Sequence, residues 1–419
     1  MQRSNEAHAR PTTVLTVASP LATAPTELGD PGRPWPAWPV FGADEIAAAS
    51  AVLASGKVNY WTGEDGRAFE REFARWHGVE HAIALANGTL ALELALYALD
   101  VGPGDEVIVP ARTFIASASA AVARGARVVC ADVDRDSGTL TAATVEAALT
   151  PNTRAVIVVH LGGWPADVDA IRTVCEPRGI AIVEDCAQSH GAFLRGRATG
   201  ALGDIAAFSF CQDKIMTTGG EGGMVTTSKS ALWSKMWSYK DHGKDWDAVH
   251  RTDHPPGFRW LHRSFGSNYR LTEMQSAIGR IQLAKLEQWS DRRRRSATRL
   301  RDGLADLPAL RIPWPGDEVQ HAFYRLYAYV DSSRLRDDWT RDRIAQVITA
   351  AGVPCMQGSC GEIYREQAFP TAWRPEAPLP VAAELGRTSL AMLVHPTLGD
   401  DDMDHALGVI RQVVATASR

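Results

Sequence analysis

The chain has 419 residues, 45% apolar and 22% charged, and a formal net charge of -5 from 44 basic and 49 acidic side chains. At about 100–200 residues per domain there is room for two or three domains and a large buried core. This balance excludes a mainly disordered chain, a collagen-like fibre and a small disulfide scaffold, and it gives no electrostatic case for nucleic acid or an anionic membrane.

Residues 1–35 are rich in Pro, Thr, Ala and Ser and lack periodicity, which reads as a mobile leader. The apolar patch Val14–Val17 is too broken for a signal peptide, and no run of about 18 uncharged apolar residues predicts a membrane span. From Phe41 to Leu286 amphipathic stretches alternate with short apolar runs. Helices are expected at Ala68–Trp76, Thr89–Leu99, Ile115–Arg124, Thr141–Leu149 and Val168–Glu176. Strands are expected at Glu106–Val109, Arg127–Ala131, Ala155–Val159, Ile180–Glu184, Ile205–Phe210 and Met224–Thr227. Continuously apolar strands suit a parallel sheet covered on both faces, so residues 36–290 predict a large α/β domain. Leu271–Leu286 predicts a long helix, and the arginine run Arg292–Arg295 after it reads as a solvated helix face rather than a phosphate patch. Beyond Pro313-Trp314-Pro315, a strand at Tyr324–Val330, a helix at Thr340–Ala351 and a helix after Asp401 outline a smaller α+β domain over residues 291–419.

Six cysteines occur without a Cys-x-x-Cys pair, which points to buried thiols in a reducing cytoplasm. The 12 histidines show no metal spacing, and no metal is expected. The 13 tryptophans exceed the 8 tyrosines and 11 phenylalanines, an excess suited to a core, a pocket or an interface.

Ligands of open parallel sheets bind beyond the carboxyl ends of the strands. After Ile180–Glu184 comes Asp185, a carboxylate that either caps a helix or faces a bound cation. After Ile205–Phe210 comes Lys214, followed by the glycine cluster Gly219-Gly220-Glu221-Gly222-Gly223. Asn87-Gly88-Thr89 opens the helix at Thr89–Leu99, either as an ordinary turn and cap or as a phosphate cradle. A lysine for a Schiff base, an aspartate for a pyridinium nitrogen and a helix N-terminus for a phosphate are together the parts that pyridoxal phosphate requires.

With these motifs the chain resembles the DegT/StrS-type sugar aminotransferases, within the fold-type-I pyridoxal phosphate enzymes. The resemblance runs from about Gly63 to the C-terminus. It is carried by Phe69-Glu70 with Phe73-Ala74, Asn87-Gly88-Thr89, Gly104-Asp105-Glu106-Val107-Ile108-Val109-Pro110 and Asp132-Val133-Asp134. Glu184-Asp185-Cys186-Ala187-Gln188, Phe208-Ser209-Phe210 ahead of Lys214, Gly220-Glu221-Gly222-Gly223 and Gly266-Ser267-Asn268-Tyr269-Arg270 complete it. The resemblance implies a large domain with a mostly parallel sheet and a smaller C-terminal α+β domain. It implies that Lys214 bonds the cofactor, that Asp185 pairs with the pyridine nitrogen and that Gln188 contacts the ring's phenolic oxygen. Gly88, Thr89 and Ser209 would hold the phosphate, and Phe114 would stack on the ring. Asn268 would reach the phosphate bound by the neighbouring subunit, which implies a homodimer with shared active sites.

The implied reaction moves an amino group from L-glutamate to a keto sugar, with a nucleotide-linked keto-deoxysugar as expected acceptor. The alternatives are a keto-cyclitol aminotransferase, a pyridoxal-phosphate sugar dehydratase and a non-catalytic regulatory protein. Lys214 stands against dehydration, because relatives that dehydrate carry histidine there. Two departures from the commonest pattern, Asn87 for Ser and Cys186 for Ala, are conservative. Gly358–Tyr364 lies where many relatives carry a tyrosine-rich, histidine-containing loop, so substrate identity stays open. Candidates for the acceptor pocket are Tyr60, Trp61, His160, Gln212, Glu362 and Tyr364, each of which could instead serve packing.

Overall fold

The computed structural model describes residues 32–419. Its strands are β1 (His81–Leu85), β2 (Glu106–Pro110), β3 (Arg127–Ala131), β4 (Thr153–Val159), β5 (Ala181–Asp185), β6 (Phe193–Leu194), β7 (Arg197–Ala198), β8 (Ile205–Ser209), β9 (Gly223–Thr227), β10 (Leu310–Arg311), β11 (Val319–Gln320), β12 (Leu326–Val330), β13 (Cys355–Met356) and β14 (Ser389–Met392). Its helices are α1 (Ala43–Ser55), α2 (Asp65–His77), α3 (Gly88–Ala98), α4 (Ala116–Ala123), α5 (Ala142–Ala148), α6 (Val168–Cys175), α7 (Ser230–Lys240), α8 (Trp246–His250), α9 (Glu273–Leu304), α10 (Arg341–Ala350), α11 (Pro380–Thr388) and α12 (Asp400–Ala417).

Seven strands form one sheet in the order β1-β9-β8-β5-β4-β2-β3. The strands from β8 to β3 pair in parallel, and β9 runs antiparallel to both β8 and β1. The apolar runs follow from burial on both faces. Val107, Val109, Ile157 and Val183 enter one core, while Ile108, Val156, Val158 and Ile182 enter another with Val168 and Ile171 of α6. At the β1 side, Ala84, Ala206, Phe208 and Met224 pack on Phe69 and Phe73 of α2 and Leu286 of α9. A second sheet, β10-β12-β14-β13, is antiparallel and shares a core with α10, α12 and the end of α9. β6, β7 and β11 make a small three-stranded sheet.

The expected helices and strands of the large sheet fall within three residues of those observed. β1, α1, α7 and α8 lie outside the expected elements. β1 is a five-residue edge strand, and the tryptophans and serines of α7 blur its period. The long helix expected at Leu271–Leu286 is α9, which starts at a Thr272–Gln275 capping box and continues to Leu304. It therefore runs through the expected 290/291 boundary, placing Leu283 and Leu286 in one core and Ala297, Leu300 and Leu304 in another.

That continuity corrects the reading of the arginine run as a solvated face. Arg293 follows Leu286 and Ser290 and precedes Ala297 on the inward face of α9, where it is fully buried. Arg292 donates to the Leu398 carbonyl and pairs with Asp400 at 2.7 Å, while Arg295 stays exposed. The leader of residues 1–35 lies outside the described residues except for its last four. Of these, Arg33 pairs with Asp402 at 2.7 Å and Trp35 packs against the core shared by α12.

Candidate active site

The carboxyl ends of β5 and β8 meet the N-terminus of α3. Asp185 closes β5, buried, with Oδ2 accepting from the Ser117 hydroxyl (2.9 Å) and Oδ1 from the Ala187 N–H (3.2 Å). Burial pushes its carboxyl above the ordinary range, against the Ala187 and Ser117 hydrogen bonds and the nearby Lys214. Among the described residues no cation forms an ion pair with it.

Ser209 closes β8, and its hydroxyl accepts from the Cys211 N–H at 3.3 Å. Gly88 opens α3 directly against it. A Cβ built on Gly88 would sit 2.6 Å from the Ser209 Cβ, so only glycine leaves this helix start open. Asn87 caps α3 by accepting from the Leu90 N–H at 2.9 Å. The N–H groups of Gly88 and Thr89 precede any intrahelical acceptor and lie at the positive end of the helix dipole.

Gln188 follows Asp185 by three residues. Its Oε1 accepts from the Gly162 N–H at 2.7 Å, which fixes the orientation of the amide and leaves its NH2 as a donor. Phe114, in the loop between β2 and α4, is 67% exposed and stands free of the core. These groups fit pyridoxal phosphate: a helix start for the phosphate, a buried carboxylate for a pyridinium N–H, an amide donor for a phenolic oxygen and a bare aromatic face for the ring.

Lys214 lies past β8 with Nζ 3.4 Å from Asp213 Oδ1 and 5.2 Å from the centre of the Tyr324 ring. Trp38, from the segment before α1, donates its indole N–H to the Lys214 carbonyl at 2.9 Å. Ser117, Asp213, Tyr324 and Trp38 were not singled out from the sequence. The signal for Asp213 was its place beside the lysine. The others come from distant segments.

The acceptor candidates divide. Tyr60 is buried, its hydroxyl on Glu70 Oε2 at 3.1 Å and Lys240 Nζ 3.8 Å from its ring centre. Trp61 is half-buried against Trp237 and His250, under Lys244 Nζ at 4.1 Å. His160 is fully buried. Its Nδ1 accepts from the Ala166 N–H, which leaves the ring hydrogen on Nε2 facing Glu184 at 2.9 Å. Glu184 also accepts from the N–H groups of Gly200, Leu202 and Gly203. Burial alone would raise its carboxyl, but His160 and these N–H groups hold it below the usual range. His160, Glu184 and Cys186 lie close enough to suggest a metal trio, yet hydrogen bonds already engage both the imidazole and the carboxylate. Tyr60 and His160 are thus buried on internal partners, and Trp61 is half-buried in an aromatic cluster.

Gln212 is exposed two residues before Lys214. Glu362 and Tyr364 bond each other through the tyrosine hydroxyl, and the adjacent Ile363 N–H donates to the Ala111 carbonyl, three residues before Phe114. That contact brings this segment to the carboxyl end of β2. Asn268 is exposed and bridges to Asp241 beside the β1 edge, where Arg270 meets Leu85.

A model of the DegT/DnrJ/EryC1/StrS aminotransferase family matches residues 39–411. The chain is 37% identical over 380 residues to the dTDP-3-amino-3,4,6-trideoxy-alpha-D-glucose transaminase of Streptomyces venezuelae, a match covering 90% of this chain and 93% of that one. Among solved structures, the aminotransferase from Psychrobacter cryohalolentis superposes with a TM-score of 0.90 at 50% identity, covering 92% of this chain and 100% of that one. S. venezuelae DesV in complex with a ketimine intermediate superposes with a TM-score of 0.80 at 34% identity, covering 89% and 94%.

Proposed function

Because the chain belongs to the DegT/DnrJ/EryC1/StrS aminotransferase family, we propose that it uses pyridoxal phosphate to move an amino group from L-glutamate to a nucleotide-linked keto-deoxysugar. It is a sugar aminotransferase. The observation that carries the finer reading is Asp185, a buried carboxyl that forms no ion pair among the described residues, close enough to Lys214 to feel its charge.

When bound, the cofactor supplies a protonated ring that draws electrons from the substrate carbon. Gly88, Thr89 and Ser209 would hold its phosphate, Asp185 would keep the ring nitrogen protonated, and Gln188 would donate to the phenolic oxygen. Lys214 would bond the cofactor and then, displaced by the substrate amine, take and return the proton at the substrate carbon. Phe114 would cover one face of the ring and exclude water there.

The acceptor class is supported by the Streptomyces relative, whose name specifies a dTDP-linked amino sugar. Glu362 and Tyr364 are the best-placed candidates to meet it. A homodimer with shared sites is supported by Phe258, Trp260 and Phe265, at 79%, 85% and 98% exposure on the segment leading to Asn268. Six free cysteines suit a reducing compartment, and a cytoplasmic enzyme is the fitting assignment. No helix among the described residues is long and apolar enough to cross a membrane.

The test is a panel of dTDP- and UDP-linked keto sugars and keto-cyclitols, incubated with the holoenzyme and nitrogen-labelled L-glutamate and read by mass. Label transfer to a nucleotide-linked sugar is expected. Water loss without label, or label on cyclitols alone, would sink the reading.

A further inference from the structure

A lysine that first bonds a cofactor and later moves protons is alternately tethered and free. While free, its amine needs a fixed resting place within reach of the reacting carbon. Among the described residues, the carboxylate paired with Lys214 is its chain neighbour Asp213, with Oδ1 3.4 Å from Nζ. The other oxygen, Oδ2, accepts from the Tyr324 hydroxyl and lies 3.8 Å from Arg325 Nη2. Partial burial works to raise this carboxyl. Lys214, Tyr324 and Arg325 outweigh that effect and hold Asp213 below the usual carboxylate range, so it is ionised at neutral pH.

The support for Asp213 is itself built. Phe323, just before Tyr324, has φ of +48°, a left-handed conformation that bulky aromatics avoid. Its N–H donates to His321 Nδ1 at 2.7 Å, and its carbonyl accepts from the buried Arg293 at 3.3 Å. These contacts hold the bend that sets Tyr324 on Asp213, while Trp38 pins the Lys214 carbonyl. The backbone of Lys214 and the carboxylate beside it are therefore fixed, and the side chain alone is left to swing. Asp213 is half-exposed, and such a pair contributes little to stability. Its worth is in position.

On the reading that Lys214 bonds the cofactor, we propose that Asp213 is a positioning residue that holds the freed Lys214 amine at the reaction centre, and that Tyr324 locks Asp213 in that role. The test uses purified apoprotein and two ligands. Capture of added pyridoxal phosphate by Lys214 is timed through its visible absorbance band. Binding of pyridoxamine phosphate, which has no aldehyde to bond a lysine, is measured by dialysis. Asp213→Asn is expected to slow capture about tenfold and Tyr324→Phe about threefold, with Asp213→Glu partly restoring the rate. Pyridoxamine phosphate should bind all of them within about twofold of wild type. Capture by Asp213→Asn at the wild-type rate would overturn the role, and so would a parallel loss of pyridoxamine phosphate binding, which marks a merely structural residue. A wild-type protein that captures no pyridoxal phosphate would instead overturn the cofactor assignment itself, before any variant is compared.

Discussion

The cofactor face of the large sheet and the tryptophan-rich edge beside α7 both hold a lysine, carboxylates and aromatic rings, but they dispose of their polar atoms in opposite ways. At the cofactor face Asp185 is steadied by two donors and forms no ion pair among the described residues, and Phe114 is 67% exposed. At the edge Lys240 is fully buried between the rings of Tyr60 (3.8 Å) and Trp237 (5.3 Å), with Glu70 and Asp241 as its counter-charges. Asp241 in turn pairs with Arg270 at 2.9 Å and Lys244 at 3.0 Å. Trp61, Trp233, Trp237 and Trp246 meet edge to face around His250, so much of the tryptophan excess serves this cluster. At the first region neutral donors engage both carboxylate oxygens, whereas at the second Lys240 is held by aromatic faces and nearby charges, its Nζ making no hydrogen bond among the described residues.

The largest expected effects separate the two lysines. Lys214→Ala should cut turnover by at least about a thousandfold while leaving the urea midpoint unchanged. Asp185→Asn should lower the rate about a hundredfold in an intact fold, because on the proposed reading the ring would lose the carboxylate that keeps its nitrogen protonated. Full activity in the Lys214 variant would reverse the assignment of the two regions.

Lys240→Met should show the opposite profile. It removes aromatic packing together with an ammonium that burial disfavours, so its loss of urea stability should be smallest near neutral pH and grow as pH rises, with kcat of the folded enzyme within about twofold of wild type. The pH dependence sharpens this. Burial lowers the Lys240 ammonium from 10.5 to about 8, although Glu70 and Asp241 pull it back up. Between those values the unfolded chain binds the proton that the folded one has released, so the contribution of Lys240 to stability rises with pH. The gap between wild type and Lys240→Met should widen from pH 8 to 10.5 by up to about 3 kcal/mol. A flat gap would mean that the ammonium is solvated.

The same contrast explains what the sequence made legible. Asp185 and Ser209 close short apolar strands and Lys214 follows one closely, and a strand that ends in a turn places these residues at the sheet's carboxyl edge whatever the rest of the chain does, while Gly88 is marked by its place at a helix start. The parallel sheet was legible for a similar reason, since burial on both faces writes continuous apolar runs. Ser117 reaches Asp185 across 68 residues, Tyr324 reaches Asp213 across 111, and Trp38 reaches Lys214 across 176. No local spacing encodes such meetings. Closeness to motifs points to Tyr60, Trp61 and His160, but closeness along the chain does not set the direction of a side chain: Tyr60 and His160 are buried, and Trp61 is half-buried against other rings. Arg293 shows the same limit, because a run of four arginines on a helix must send one inward when the buried stripe passes through it.

The smallest expected effect tests the comparison at single aromatic rings. Phe114 is 67% exposed, so Phe114→Ala removes little buried surface and should change stability by under about 0.5 kcal/mol. If the ring stacks on the cofactor, the loss is one aromatic contact of about 0.5–1.5 kcal/mol, or roughly two- to tenfold weaker binding of pyridoxamine phosphate. Phe114→Tyr should restore it. Trp61→Ala should invert the pattern, losing about 3 kcal/mol of stability from the clustered edge while cofactor affinity holds. Equal loss of cofactor affinity in both variants would mean that the tryptophan edge reaches into the active site, and the division between a site awaiting its partner and a cluster closed on itself would have to be redrawn through Trp61.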